Sequence, residues 1–346
     1  KLEQAYVLAD RARRLALIKE KAEALAASEG LVLVDDAGLL AEVAGLVEWP
    51  VPLMGKIDDE FMDVPEEVLV SVMRTHQKYL ALRDKDGQLA PRFITIANIE
   101  TADKGAKIIA GNERVLRARL SDARFFWDED RKTDLSARKP ELEKVTFHAK
   151  LGTVSDKTDR IEKLVAYFAN IESGFSFEDL SQNASDEVAS EAAALCKADL
   201  VTGMVYEFPE LQGIMGGYYA ALQIGDDKVG NAIRDHYKPL GPNDAIPATS
   251  EGRLVAMSDK MDTLAGFWLI DELPTGSKDP YALRRASLGI IRMLIEGGRR
   301  LNLDGFINAA MQNYPASLSA SSGDSSASER LRLFFIERLK IYLRDK

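Results

Sequence analysis

Residues 1–29 place apolar side chains at Leu2, Tyr6, Leu8, Ala12, Leu15, Leu17, Ile18, Ala22 and Leu25 among many Lys, Arg and Glu. That spacing predicts an amphipathic helix, with Gly30 as its stop. The pattern then becomes mixed. Residues 31–34 read as a short strand or as the lead-in to a helix over 39–47. Pro50 and Pro52 interrupt, and residues 51–57 read as a strand. Pro65-Glu66-Glu67 opens a helix carrying Val68, Leu69, Val72 and Met73. Residues 78–83 and 92–99 flank Asp84-Lys85-Asp86-Gly87, whose Asp-Gly step is a hairpin signal. The first hundred residues are therefore read as α+β.

From Ala102 onward almost everything carries helical spacing. Helices are expected over 108–130, 157–171, 186–206, 214–223, 228–237, 253–273, 280–296 and 328–344. Breakers separate them at Gly174, Pro209, Gly225, Pro239-Leu240-Gly241-Pro242, Pro274-Thr275-Gly276 and Gly297-Gly298. Residues 315–328 are Ser/Ala-rich, with Leu318 the one large apolar residue, and read as a flexible linker. The predicted organisation is predominantly helical: an α+β domain over 1–140, an all-α domain over 141–314, a flexible linker over 315–327, and the first helix of a following module over 328–346. The Lys139-Pro140 break and the change in periodicity place the division within 135–145.

Composition narrows the function classes. The chain has 346 residues, 55 Asp+Glu against 45 Lys+Arg, and a net charge of −10. The acidic balance argues against a general nucleic-acid coat and leaves room for local basic patches. No apolar run approaches the roughly 18 residues of a membrane span. The single cysteine, Cys196, cannot form an internal disulfide and excludes a multi-cysteine zinc site. It points to a reducing compartment, hence a cytoplasmic location. The chain opens at Lys1 inside an amphipathic pattern and reads as a piece of a longer protein.

Four sets of residues carry candidate chemistry. There is no Gly-rich loop ending in Gly-Lys-Ser/Thr, and Gly213, Gly216 and Gly217 read as close helix packing. Arg114, Arg117 and Arg124 share one face of a helix, a row suited to phosphates. The competing reading is a solvated face paired with Glu113, Asp122, Asp128 and Asp130, with Phe125-Phe126-Trp127 as core. His148, Asp199, His236, Asp259 and Asp262 are spread over the helical half, as in helical metallohydrolases that hold a divalent ion between facing helices. A working site would place a histidine before the central aspartate, where this chain has Ala198. The alternative makes Asp199 and Asp262 buried hydrogen-bond anchors between helices. Lys278, Arg284 and Arg285 surround a helix start at Pro280, where free N–H groups attract anions. A structural helix start with charged neighbours explains the same residues.

Several strings agree in order with one family. Arg74-Thr75-His76-Gln77-Lys78-Tyr79, the run from Gly111 to Trp127, and Phe147-His148-Ala149-Lys150-Leu151-Gly152 resemble the β subunit of bacterial glycyl-tRNA synthetase. So do Lys197-Ala198-Asp199-Leu200-Val201-Thr202, Glu207-Phe208-Pro209-Glu210-Leu211-Gln212-Gly213, Ser258-Asp259-Lys260-Met261-Asp262-Thr263-Leu264 and the run from Pro274 to Arg285. The resemblance covers nearly the whole chain. It implies an α2β2 ligase in which the α subunit makes glycyl-adenylate, using ATP and Mg, while the β subunit recognises tRNA(Gly). It further implies that the first domain is the later part of a B3/B4-like domain and the second an HD-like helical domain. His148, Asp199, Asp259 and Asp262 would then be a degenerate HD-like site, with no catalytic residue, metal or cofactor expected in this chain. Lys278, Arg284, Arg285, Arg114, Arg117 and Arg124 become the candidate tRNA contacts. An HD-type metal-dependent phosphohydrolase, or a scaffold for the α subunit, would be the alternatives.

Overall fold

The computed structural model describes residues 1–169, 186–319 and 326–344. The chain separates into two compact units, Lys1–Asp130 and Arg131–Lys346. The break thus falls upstream of the Lys139-Pro140 step.

In the first unit, α1 (Arg11–Ser28) is capped by Asp10, whose carboxylate accepts from the N–H groups of Ala12 and Arg13. The short β1 (Val32–Leu33) leads to α2 (Ala37–Leu46), capped by Asp36. Then come β2 (Val51–Lys56), α3 (Glu66–Ser71), β3 (Leu80–Arg83), β4 (Leu89–Ala97) and the long α4 (Ala106–Asp130). The sheet is antiparallel throughout, in the order β1-β3-β4-β2. The Asp84–Gly87 signal makes the β3–β4 turn: Asp84 accepts from the Asp86 and Gln88 N–H groups, and Gly87 takes φ +80°.

Strand alternation divides the side chains between two layers. Leu80, Leu82 and Ile94 join Ile18, Ala22 and Ala26 of α1 and Leu39, Leu40 and Val43 of α2 in one core. Phe93 stacks on Tyr79 at 4.5 Å, and the Tyr79 hydroxyl bonds Asn112 of α4 at 2.5 Å. Gly55, opposite Phe93 in the register, has to be glycine, because a Cβ there would sit 2.3 Å from the Phe93 ring. The helix expected through Met73 is α only to Ser71 and continues as π-helical turns over Val72–Gln77.

The second unit begins with the short α5 (Leu135–Arg138). Its described residues include an element that contradicts an all-helical reading, a two-stranded hairpin of β5 (Thr146–His148) and β6 (Gly152–Thr153). Helices follow: α6 (Val154–Ala169), α7 (Asp186–Leu195), α8 (Gly203–Glu207), α9 (Ile214–Ile224), α10 (Asp227–Asp235), α11 (Ser250–Leu269), α12 (Leu283–Glu296), α13 (Leu303–Gln312), α14 (Ala316–Ser319) and α15 (Ala327–Arg344). The central helix is α11, buried along nearly its whole length, with α6, α7, α10, α12, α13 and α15 around it. Glycine permits a close approach of two helices here. Gly217 of α9 and Gly230 of α10 face each other so tightly that a Cβ on either would lie 2.7 Å from the other's carbonyl oxygen.

Several sequence expectations change here. The helix read over 186–206 is interrupted by a 3-10 turn at Ala198–Val201, because Thr202 caps a new helix by accepting from the Val205 N–H. The helix expected from Pro280 starts at Leu283, since Ala282 takes a left-handed φ of +56° through which a helix cannot run. The segment over 303–312, which the periodicity did not single out, is α13 and buries Phe306, Ile307 and Ala310. Within 315–327, Ala316–Ser319 is helical and Ala327 is a buried first residue of α15. Residues 320–325 lie outside the described residues, as do Gly174 and the end of the helix expected through residue 171. The helix read as starting a further module, α15, buries Leu331 and Phe335 and sets Phe334 4.7 Å from Trp268 of α11.

Candidate functional site

The helix α11 carries Ser258, Asp259, Lys260 and Asp262 into the interior of the second unit. Charged groups survive there only when paired. Lys157 and Arg160 supply the pairing from α6, where they interleave with Ile161, Leu164 and Val165 on the apolar stripe. The Lys157 ammonium lies 3.0 Å from Asp259 Oδ1 and 3.0 Å from Asp262 Oδ2, and donates to the Thr263 hydroxyl at 2.8 Å. Arg160 donates to Asp262 Oδ1 at 2.6 Å and lies over the Tyr314 ring, whose hydroxyl bonds the Asp262 carbonyl.

Lys197 completes the cluster from the turn before Ala198. Its ammonium is 3.2 Å from Asp259 Oδ2, 2.8 Å from His236 Nε2, and over the Tyr237 ring. His236 Nδ1 donates to the Ile233 carbonyl at 2.5 Å, so Nε2 is left as the acceptor for Lys197. Burial and the neighbouring Lys197 charge hold the His236 imidazole neutral, well below its ordinary pKa. Burial alone would raise the Asp259 carboxyl. The Lys157 and Lys197 ammonium groups outweigh it and hold the group below the usual carboxylate range.

Asp199 makes no ion pair with these cations, although the Lys197 charge lies near enough to favour its ionised form. Its Oδ2 accepts from the N–H groups of Gly213 at 2.5 Å and Gly216 at 3.0 Å, where α9 begins. Gly213 takes φ +80°, and a Cβ on Gly216 would lie 3.1 Å from the carboxylate. The glycine string thus serves both the helix packing and this cradle. Asp199 Oδ1 is buried without a hydrogen bond, and burial pushes the carboxyl up to about 6.

The expected quartet is not brought together as a ligand set. His148 lies on β5, with Nε2 3.3 Å from Glu272 and its ring against Phe267 and Tyr281. Ala198 is buried and brings no ligand. Asp259 and Asp262 are held by Lys157, Arg160 and Lys197, where a divalent ion would need bare carboxylates. Among the described residues no three His, Cys, Asp or Glu side chains are grouped to hold a metal. The donor set does not fit the ion of a metallohydrolase, and the phosphohydrolase alternative is not favoured. The cations were legible only as Lys157 and Arg160 standing on an apolar stripe.

The two basic sets are built differently from their sequence reading. In the first unit Arg117 pairs with Asp58, and Arg124 makes a two-pronged contact with Asp63 at 3.0 and 3.1 Å and approaches Asp128 at 3.7 Å. Glu113 does not pair with this row; it accepts from the Lys56 backbone N–H. Arg114 is exposed. Of the aromatic trio, Trp127 is buried and Phe125 is 59% exposed. In the second unit Lys278 and Thr275 close a tight turn through their backbones. Asp279 accepts from the Leu283 and Arg284 N–H groups, so a carboxylate already occupies the start of α12 that was expected to be free for anions. Arg284 is tied to the Gly276 carbonyl at 2.8 Å, while Lys278 and Arg285 are exposed.

Comparison with known proteins gives one answer along the whole chain. The family model described as glycyl-tRNA synthetase beta subunit matches residues 1–346. A glycine--tRNA ligase beta subunit of Rhodospirillum centenum is 52% identical over 346 residues, covering all of this chain and 47% of the relative. Proteins of the same name from Phenylobacterium zucineum and Paracoccus denitrificans are 49% and 47% identical, covering 98% and 100% of this chain and 47% and 48% of their own lengths. The chain spans about half the length of the curated relatives it matches. No helix among the described residues is long and apolar enough to cross a membrane.

Proposed function

The chain belongs to the glycyl-tRNA synthetase β-subunit family, and from that premise we propose that it is part of the tRNA-recognition subunit of a tetrameric glycyl-tRNA synthetase. The complete protein would recognise tRNA(Gly) and support transfer of glycine from the glycyl-adenylate made on an α subunit, where ATP and Mg are used, in an α2β2 cytoplasmic assembly. The first unit would be the later part of a B3/B4-like domain and the second an HD-like domain reused without its metal. The observation that carries the reading is end-to-end similarity to proteins bearing the β-subunit name. The neutralised carboxylates of α11 support a non-catalytic role for the second unit.

Among the candidate tRNA contacts, Arg114, Lys278 and Arg285 are exposed and suit phosphates best. Arg117, Arg124 and Arg284 already hold protein acceptors. The test is aminoacylation of tRNA(Gly) by the full-length protein with its α partner, comparing wild type with Arg114→Ala, Lys278→Ala and Arg285→Ala. Reduced glycylation at limiting tRNA, relieved at high tRNA, is expected. Glycylation without the full-length protein, or unchanged tRNA dependence in all three variants, would overturn the proposal.

A further inference from the structure

Beside the buried ion cluster the second unit opens a cleft of about 230 Å³. That is smaller than the roughly 300–1,000 Å³ of pockets for drug-sized ligands, so it suits a compact polar group. Asp259 forms part of its lining with its charge already met by Lys157 and Lys197. Lys260 lines the wall. Its ammonium donates to the carbonyls of Tyr237 at 2.9 Å and His236 at 3.5 Å, which uses two of its three N–H groups. Arg285 stands at the exposed mouth, its one described hydrogen bond a 3.5 Å reach to the Leu240 carbonyl. Thr263 and Tyr281 complete the sides.

The charges around this cleft do not cancel. Lys157, Lys197, Lys260 and Arg285 are set against Asp259, the buried Asp199 beside Lys197, and Asp244, the last turned to the Leu240 N–H. Asp262 is matched by Arg160, and Glu272, which reaches Tyr281, by Lys150. His236 is neutral. One positive charge is left in excess, and Lys260 on a buried wall and Arg285 at the mouth are the cations that line a cleft sized for a phosphate group.

We infer that this cleft binds a phosphate group, with Lys260 and Arg285 as its two cationic ligands. The phosphate would come either from a nucleic-acid backbone or from a free nucleotide. The inference concerns binding alone and holds whether or not the protein acts on tRNA.

The experiment uses full-length protein with inorganic phosphate as probe, at constant ionic strength, followed by thermal midpoint and by phosphorus NMR line width. Adenosine 5′-monophosphate and adenosine are run in parallel. Saturable effects are expected from phosphate and the monophosphate and none from adenosine. Lys260→Met and Arg285→Ala should each weaken the affinity at least tenfold, while Lys19→Ala on α1 leaves it unchanged. Arg285 is exposed, so its variant reports even where Lys260→Met folds poorly. Competition separates the sources: phosphate that displaces tRNA identifies an RNA phosphate, and phosphate that saturates without displacing it identifies a free nucleotide. Either result supports the cleft. Absence of saturable phosphate binding, or binding that survives both substitutions, overturns it. Wild-type protein that binds phosphate here and no tRNA would count against the proposed function and not against the cleft.

Discussion

The Lys197 ammonium lies 3.2 Å from the Asp259 carboxylate, deep in the second unit, with His236 as its other partner. The pair joins the turn before Ala198 to the central helix α11, and Lys157 extends it to α6. Three elements distant in sequence are thus held by one buried carboxylate. Removing one partner of such a pair leaves an uncompensated charge, which costs far more than the intact pair contributes.

Lys197→Met should therefore destabilise the second unit by about 3 kcal/mol, the lower end of the range for broken buried pairs, because Lys157 still meets Asp259. The double variant Lys197→Met/Asp259→Asn should recover part of that loss. Hydrogen exchange at the α11 amides in full-length protein reads both. A Lys197→Met protein as protected as wild type would show that the cluster does not hold the unit together.

Asp199 gives a pH dependence of the opposite origin. Its carboxyl is raised from 3.8 to about 6 by burial, so the folded protein holds this proton more tightly than the unfolded chain. Stability from this group is fully present below about pH 4 and is lost as pH rises to about 6, by about 3 kcal/mol for two units. The depressed Asp259 contributes in the other sense, and its share is lost only as pH falls below the ordinary carboxylate range. Asp199→Asn, which keeps an oxygen to accept from Gly213 or Gly216, should flatten the profile between pH 4 and 6. Asp199→Ala removes the acceptor and should cost roughly 1–3 kcal/mol. Retention of the wild-type slope in Asp199→Asn would mean another group titrates there.

These groups show what the sequence carries and what it hides. The antiparallel sheet was legible where local chemistry decides it, as at Asp84–Gly87, and the long helix α4 was legible from its period alone. The turn at Asp199 was hidden because Thr202 caps a helix inside an otherwise helical apolar run. The hairpin over Thr146–Thr153 was hidden by its short strands. At the candidate site the acids stood out on an apolar helix, yet their partners come from α6 and from Lys197, separated by dozens of residues. A lysine on an apolar stripe reads locally as an exception. Only packing shows that it answers a carboxylate.

The arginine row of α4 should divide rather than act as a unit. Arg124→Ala removes a partly exposed pairing with Asp63 and should change stability by only about 0–1 kcal/mol, with no change in the salt dependence of tRNA binding. Arg114→Ala should leave stability unaltered and lower the slope of log affinity against log salt by about one. Thermal midpoints and tRNA titrations at several salt concentrations distinguish the two. Equal slopes for wild type and Arg114→Ala would remove this helix from the RNA contact.

The segment before α12 yields the sharpest contrast, because charge and structure fall on different residues there. Lys278 is held only through its backbone, in the turn with Thr275, and its exposed ammonium is free to meet a phosphate. Arg284 instead spends its guanidinium on the Gly276 carbonyl, and Asp279 spends its carboxylate on two helix N–H groups. Lys278→Ala should weaken tRNA binding and reduce the salt slope by about one, with stability changed by no more than about 0.5 kcal/mol. Arg284→Ala should loosen the turn at a cost of about 1 kcal/mol and leave the slope unchanged. Asp279→Ala should cost about 1 kcal/mol through the lost cap. It should also tighten tRNA binding, since it removes a negative charge and uncovers two N–H groups at a helix start. Measured on full-length protein, a Lys278→Ala variant with a lowered midpoint and an unaltered salt slope would make the lysine structural. An Asp279→Ala variant that bound tRNA no better than wild type would show that RNA does not approach this turn.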